Sequence, residues 1–286
     1  MIIPFGAAAD YLEGKDGEVP EEVLALARNA VHGSLYEAHW REAFTAATSQ
    51  MKEQARSRAI RRLRELPRET VAVPCTVPLT LSTRPGWGSY GWKYDPRLPQ
   101  EAMGLGVTLI DTAETYGYGR VEKELGEVLG KNAPIRIATK VSRNHMTYTN
   151  VLRAASRSVY NLGGPLGLFQ IHWPNANVPI EGTMAALNDL LGDKADYVGV
   201  CNFSVDQFYT ARLTCPRLAS IQVRLDGLAG VLPFFRAMNV AVMAHSPLGQ
   251  GRDIAERRQI LQWCKDNHVT PIVGTNNLEH LRENMG

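Results

Sequence analysis

Along most of this chain, short β-branched or apolar runs alternate with segments whose apolar residues recur at helical spacing. The strand-like runs are Leu79 to Ser82, Val107 to Asp111, Ile135 to Lys140, Leu166 to His172, Tyr197 to Val200, Ala219 to Val223, Val240 to His245 and Pro271 to Gly274. Between them, Pro99 opens a helical segment at Gln100, and a second begins at about Arg120 with Val121, Leu125 and Leu129 on one face. A third spans Thr149 to Leu162, and a fourth spans Ile180 to Leu191 before a stop at Gly192. Ser204 and Gln207 have the spacing of a capping box at a further helix start. Parallel strands with crossover helices account for this alternation. Eight of them match an α/β fold of the (β/α)8 TIM barrel type, whose active site lies at the carboxyl ends of the strands.

The residues before Thr70 follow a helical pattern throughout. Pro20 to Val31 predicts a helix, with Val23, Leu24, Ala27 and Val31 forming its apolar face and Gly33 ending it. Ser34 and Glu37 have capping-box spacing, and a long helix is expected from Leu35 towards Leu66, with Pro67 at its end. The chain therefore divides into a helical N-terminal extension, 1–69, and a barrel, 70–286, with a shortened C-terminal part. Lys52, Arg56, Arg58, Arg61, Arg62 and Arg64 make the second half of the long helix basic; Glu53 and Glu65 dilute the run, and a solvated face explains it better than an acidic partner does.

Charge changes this picture little, because lysine plus arginine number 31 against 29 for aspartate plus glutamate, so neither a nucleic-acid nor a membrane partner follows. Cys75, Cys201, Cys215 and Cys264 are widely spaced, which suits reduced thiols and a cytoplasmic location. Met1 to Ala9 is apolar but short and carries no basic leading segment, so it is expected to be neither a signal peptide nor a membrane span.

Four ionisable residues fall at the carboxyl end of a predicted strand or just beyond it: Asp111, Tyr116, Lys140 and His172. Taken singly, each has an ordinary structural role open to it. In a barrel their strand ends converge on one mouth, where a buried lysine is expected to lower the pKa of a neighbouring tyrosine while an aspartate compensates the lysine charge. A histidine beside the same oxygen orients a carbonyl, and the set makes an acid-base site for reducing carbonyls or oxidising alcohols.

The sequence from about Thr70 resembles the aldo-keto reductase family. Asp111-Thr-Ala-Glu-Thr-Tyr-Gly117 with Gly119, Glu122 and Leu125-Gly126 is similar to the family's second strand and helix, Ala138-Thr-Lys140 to its lysine motif and Ile171-His-Trp-Pro174 to its histidine motif. Gly199 to Ser204, Ala244 to Gly249 and Gly274 to Asn284 resemble three cofactor-site motifs in the family order. The resemblance implies Tyr116 as general acid, Lys140 and Asp111 as the groups that tune it, and His172 as the residue that places a carbonyl. It further implies a nicotinamide cofactor, NADPH or NADH, held by Cys201, Asn202, Gln222, His245, Ser246, Leu248, Gly274, Thr275, His280 and Asn284. Cys201 stands where the family has serine and His245 where it has an aromatic ring, usually tyrosine. The last motif offers Gly274, Asn276, Asn277 and His280 where binders of the 2′-phosphate carry lysine or arginine, and Arg282 is the nearest cation. The Ser246 to Thr270 segment leaves room for one helix, and the sequence runs only just past Asn284.

Three functions are compatible with these residues. The leading one is nicotinamide-dependent reduction of a small-molecule aldehyde or ketone, or the reverse oxidation of an alcohol. The second is redox-neutral acid-base chemistry, such as cyclisation, dehydration, isomerisation or elimination, on a barrel without dinucleotide binding. The third is a binding or regulatory subunit that docks through the helical extension. Trp87, Tyr90, Trp92, Tyr118, His145 and Trp173 are candidates for an aromatic pocket lining or, equally, for rim and core packing. Oligomeric state is left open.

Overall fold

In a computed structural model of the chain, the described residues are 79–286 apart from 132, 227, 250–252 and 286, together with Ile2–Ile3 and Thr70–Val71. The latter two segments pair with each other as antiparallel strands. The expected helices at Pro20 to Val31 and Leu35 to Leu66, the Ser34 capping box and Cys75 lie outside the described residues.

Eight parallel strands close into a barrel: β1 (Gly86–Gly88), β2 (Leu109–Asp111), β3 (Arg136–Val141), β4 (Leu168–Ile171), β5 (Val198–Cys201), β6 (Leu218–Arg224), β7 (Ala241–His245) and β8 (Val269–Gly274). Each is followed by a helix, giving α1 (Arg97–Gly104), α2 (Arg120–Leu129), α3 (Tyr148–Leu162), α4 (Ile180–Leu190), α5 (Val205–Thr214), α6 (Leu228–Ala237), α7 (Ile254–Asp266) and α8 (Leu278–Met285). Closure comes from β8 pairing with β1, with Ile272 opposite Gly86 and Gly274 opposite Gly88.

The first strand is not Leu79 to Ser82, as the hydrophobic pattern suggests. Leu79 is buried in an apolar cluster with Leu109, Ala138, Leu168, Ala219, Met243 and Ile272, and Leu81 packs against the same cluster. That stretch plugs one end of the barrel. The strand is the glycine-rich Gly86–Gly88, because its two inward positions face Ile272 at distances that leave almost no room for a Cβ. Trp87 between them points outward and packs edge-on against Trp92.

Strand periodicity then explains where the chemistry sits. Leu109, Ala138, Leu168, Met243 and Ile272 form the apolar floor, and the residues two positions further on are Asp111, Lys140, Gln170, His245 and Gly274. One pleat repeat, roughly 7 Å, therefore converts an apolar layer into a polar one. The intervening Ile110, Phe169, Ala244 and Val273 belong to the larger core between barrel and helices.

Candidate active site

Asp111 ends β2, Lys140 lies near the end of β3 and His172 directly follows β4. Tyr116 opens a short 3-10 turn, Tyr116–Gly119, that leads into α2. Lys140 Nζ donates to Asp111 Oδ1 and, at 2.9 Å, to the Thr112 carbonyl. The same ammonium lies 5.5 Å from the centre of the Tyr116 ring, and the Tyr116 and His172 rings meet edge to face at 5.9 Å. Thr115 Oγ1 is 3.5 Å from His172 Nδ1. The backbone of Asp111 is itself pinned, since the amide and hydroxyl of Ser89 both donate to its carbonyl at 2.9 and 3.0 Å. The structure thus brings all four ionisable residues to one mouth.

The electrostatics differ from the sequence expectation at one point. Burial raises the Tyr116 phenol above its ordinary value; the Lys140 charge pulls the other way and does not overcome it. Desolvation outweighs the lysine because the Tyr116 ring is largely buried against the apolar core and Asp111 offsets part of the cation. Lys140 shows the opposite balance: burial alone would depress it, but Asp111 and then Tyr116 hold it charged above the usual lysine range. His172 is pushed down to about 4 by burial and by Lys140, so its imidazole is neutral near pH 7. The mouth therefore holds a neutral phenol, a fixed ammonium–carboxylate pair and a neutral ring.

The residues assigned to nicotinamide binding join this cluster directly. Gln222 Nε2 donates to Asp111 Oδ2 at 2.8 Å, and Cys201 Sγ donates to Gln222 Oε1 at 3.2 Å. Asn202, at a left-handed φ of 62°, donates to the His172 carbonyl at 3.0 Å and meets His245 Nε2 through its Oδ1 at 2.8 Å. Burial pushes the Cys201 thiol up to about 12 and lowers His245, so both are neutral. Ser246 Oγ lies 3.3 Å from the other His245 nitrogen, and Leu248 is buried nearby in sequence.

Gly274 ends β8 opposite Gly88, which in turn pairs with Asp111, and Thr275 and His280 follow at the start of α8, with Asn284 buried on the last turn of α8. The amino end of α8 is capped from within: Thr275 Oγ1 accepts from Asn277 N at 3.1 Å, and Asn277 Oδ1 accepts from Glu279 N and His280 N at 2.7 and 3.2 Å. Asn276 ties this loop to the one after β1, donating to the Gly91 carbonyl at 2.9 Å and accepting from Lys93 N at 3.3 Å. Arg282 donates to Glu101 of α1 at 2.7 Å.

The aromatic candidates divide. Trp87 and Trp92 are core residues, and the Trp87 indole donates to the Thr275 carbonyl at 3.1 Å. Tyr90, Tyr118 and Trp173 are exposed, and Tyr90 meets the Tyr116 ring at 5.3 Å. His145 is a partner of the buried Glu114, a residue of the Asp111 to Gly117 motif whose role the sequence does not signal. Its links run to residues far along the chain, which no local spacing signals. Among the described residues no cluster of His, Cys, Asp and Glu that holds a metal ion is found, and no helix is long and apolar enough to cross a membrane.

Residues 94–260 match the model of the aldo/keto reductase family. Among curated proteins, an uncharacterised oxidoreductase of Mycobacterium bovis is 36% identical over 185 residues, covering 58% of this chain and 56% of that protein. An aldo-keto reductase of Bacillus subtilis is 29% identical over 183 residues, covering 58% and 55%. The chain thus spans a little over half the length of the curated relatives it matches. Among solved structures, a thermostable aldo-keto reductase in complex with the inhibitor epalrestat gives a TM-score of 0.62 at 26% identity, covering 71% of this chain and 88% of that one. An aldo/keto reductase of Klebsiella pneumoniae, solved with NADP and acetate, gives 0.60 at 24% identity, covering 70% and 83%.

Proposed function

Since the chain belongs to the aldo/keto reductase family, we propose that it is an oxidoreductase that reduces an aldehyde or ketone to the alcohol, with Tyr116 as proton donor. One observation carries this reading: a buried Lys140–Asp111 pair, a neutral phenol and a neutral imidazole share the carboxyl-end mouth of the barrel. A substrate carbonyl oxygen placed between Tyr116 and His172 would accept a hydrogen bond from each. His172 orients and polarises it; being uncharged near pH 7, it adds no repulsion against Lys140. Tyr116 then passes its phenolic proton to the oxygen. Lys140 stabilises the phenolate that remains, and the group is reprotonated from solvent.

The donor set at the ends of β5, β6 and β7 fits a nicotinamide carboxamide, which offers the same amide donors and acceptors as the Asn202 side chain and would exchange for the Asn202–His245 hydrogen bond. Asn202, Gln222 and Cys201 would hold that group, and Thr275 would offer a hydroxyl to a dinucleotide phosphate. When bound, the reduced cofactor supplies the hydride that the carbonyl carbon receives. Turnover of a broad aldehyde panel with NADPH or NADH is the test, and Tyr116→Phe should lower kcat by ~10²–10⁴-fold while leaving dinucleotide binding intact. Full turnover in Tyr116→Phe would overturn the assignment.

A redox-neutral acid-base reaction is the second reading. It is favoured by the self-capped amino end of α8 and by the use of Gln222 Nε2 on Asp111. Saturable dinucleotide binding at micromolar concentration decides against it.

A further inference from the structure

Glu114 lies in the loop between β2 and α2, two residues before Tyr116, and is buried although it carries a carboxylate. Its backbone amide donates to the Lys140 carbonyl at 3.0 Å. Its side chain collects three further donors, all from the segment that follows β3: Ser142 N and His145 Nδ1 reach Oε1 at 2.6 and 2.8 Å, and Arg157 Nη2 of α3 reaches Oε2 at 2.6 Å. A buried carboxylate left without such partners is costly, so the four contacts hold the loop in one register. That loop is short. Thr115, the next residue, stands 3.5 Å from His172, and Tyr116 closes a turn on Ala113 through its own amide at 3.0 Å. Moving Glu114 therefore moves the phenol relative to Lys140, which is fixed separately by Asp111.

We propose that Glu114 is a positioning residue for the reaction, clamping the Tyr116 loop to the Lys140 strand and to α3 so that the phenol stands against the ammonium and the His172 ring. The proposal rests on Tyr116 being the proton donor. It assigns Glu114 no contact with substrate. Arg157 and His145 are the exposed outer half of the clamp, with side chains about half open to solvent, while the carboxylate is enclosed. Truncating the carboxylate frees the loop; the amide isostere keeps an acceptor for Ser142 but turns an NH2 group towards the Arg157 guanidinium.

Two readouts test this. The first is the ultraviolet titration of tyrosinate in the protein without ligands, taken as the difference between each variant and the same variant carrying Tyr116→Phe. That difference isolates the one phenol, which faces Lys140, Asp111, Cys201 and His172. In Glu114→Ala the ring gains solvent and moves off Lys140; because burial is the larger of these two opposing effects, the Tyr116 titration should fall towards the ordinary value of ~10, with Glu114→Gln in between. The second is steady-state kinetics, in which Glu114→Ala should lower kcat by up to ~10²-fold with KM changed by less than about threefold, the size of effect a misplaced group of about an ångström produces. Should Glu114→Ala fail to fold, Arg157→Ala loosens the same clamp from its exposed side and should move both readouts in the same direction by less. An unmoved Tyr116 titration in a folded Glu114 or Arg157 variant overturns the proposal, whatever kcat does. Wild-type protein that reduces no carbonyl would defeat the assigned reaction and leave the titration to decide the clamp alone.

Discussion

The site's residues show how burial, rather than charge alone, sets protonation. His172 lies close to Asp111 and Glu114, yet its pKa falls to about 4 because desolvation and Lys140 act together. The consequence for stability follows from proton counting. In the unfolded chain a histidine takes up its proton near pH 6.5, whereas the folded protein refuses it until about pH 4. Between those values the unfolded state binds more protons, so stability falls as pH drops from about 6.5 to 4, and His172's contribution is gone below that. His245 is shifted the same way. Replacing His172 with Gln should flatten the acid limb. Because the ring is partly open to water, the effect is a modest one: melting temperatures of wild type and variant, compared at pH 7.5 and 4.5, should diverge by about 2–4 °C. Parallel acid limbs for the two proteins would mean that His172 is protonated normally in the folded state.

At the scale of elements, the strands that the sequence pattern located are those whose outward residues are large and β-branched. Asp111, Lys140 and His172 stand at or just beyond the carboxyl ends of those strands, which is why they were legible as mouth residues, whereas His245 was legible only through the family resemblance. Gly86–Gly88 was not legible, because what makes it a strand is the absence of side chains facing Ile272, and a glycine-rich run reads as a turn. The Ser204 capping box was readable and both of its hydrogen bonds form, since its partners are three residues apart. The Glu114 links were not, because their partners lie 28, 31 and 43 residues away and meet only because β2 and β3 pair side by side. Close approach between strands also yields a prediction. A Cβ at Gly199 of β5 would overlap the Ser220 hydroxyl and lie 3.0 Å from the Ser220 carbonyl oxygen and 3.2 Å from its Cβ, both held by β6. The hydroxyl can rotate away, but the backbone cannot. Gly199→Ala should therefore cost ~1–3 kcal/mol in chemical denaturation, the usual penalty of overpacking. Adding Ser220→Ala should recover only part of the loss; full recovery would show that the hydroxyl alone was the obstacle.

For the whole molecule, the two ends of a dinucleotide would meet very different surfaces. On the proposed binding mode, the nicotinamide end would meet a network of exchangeable amides connected to the acid-base cluster, whereas the other end would meet a helix start where the Asn277, Glu279 and His280 amides already donate to Thr275 and Asn277. Asn276 clasps the loop after β1, and Arg282 is engaged with Glu101. An added 2′-phosphate would have to displace these contacts to gain a charged partner, and an exposed ion pair returns little when it is exchanged for another. NADPH and NADH should therefore bind with affinities within about tenfold of each other, a difference under ~1.4 kcal/mol. Trp87 is the natural reporter, because its indole N–H reaches the Thr275 carbonyl directly beneath that loop. Quenching of tryptophan fluorescence, followed for both dinucleotides in wild type and in Trp87→Phe, measures the two constants and ties the signal to this end of the barrel. A preference for NADPH of 100-fold or more would mean that Arg282 or the Asn276 loop reorganises on binding, and Arg282→Met should then abolish the preference.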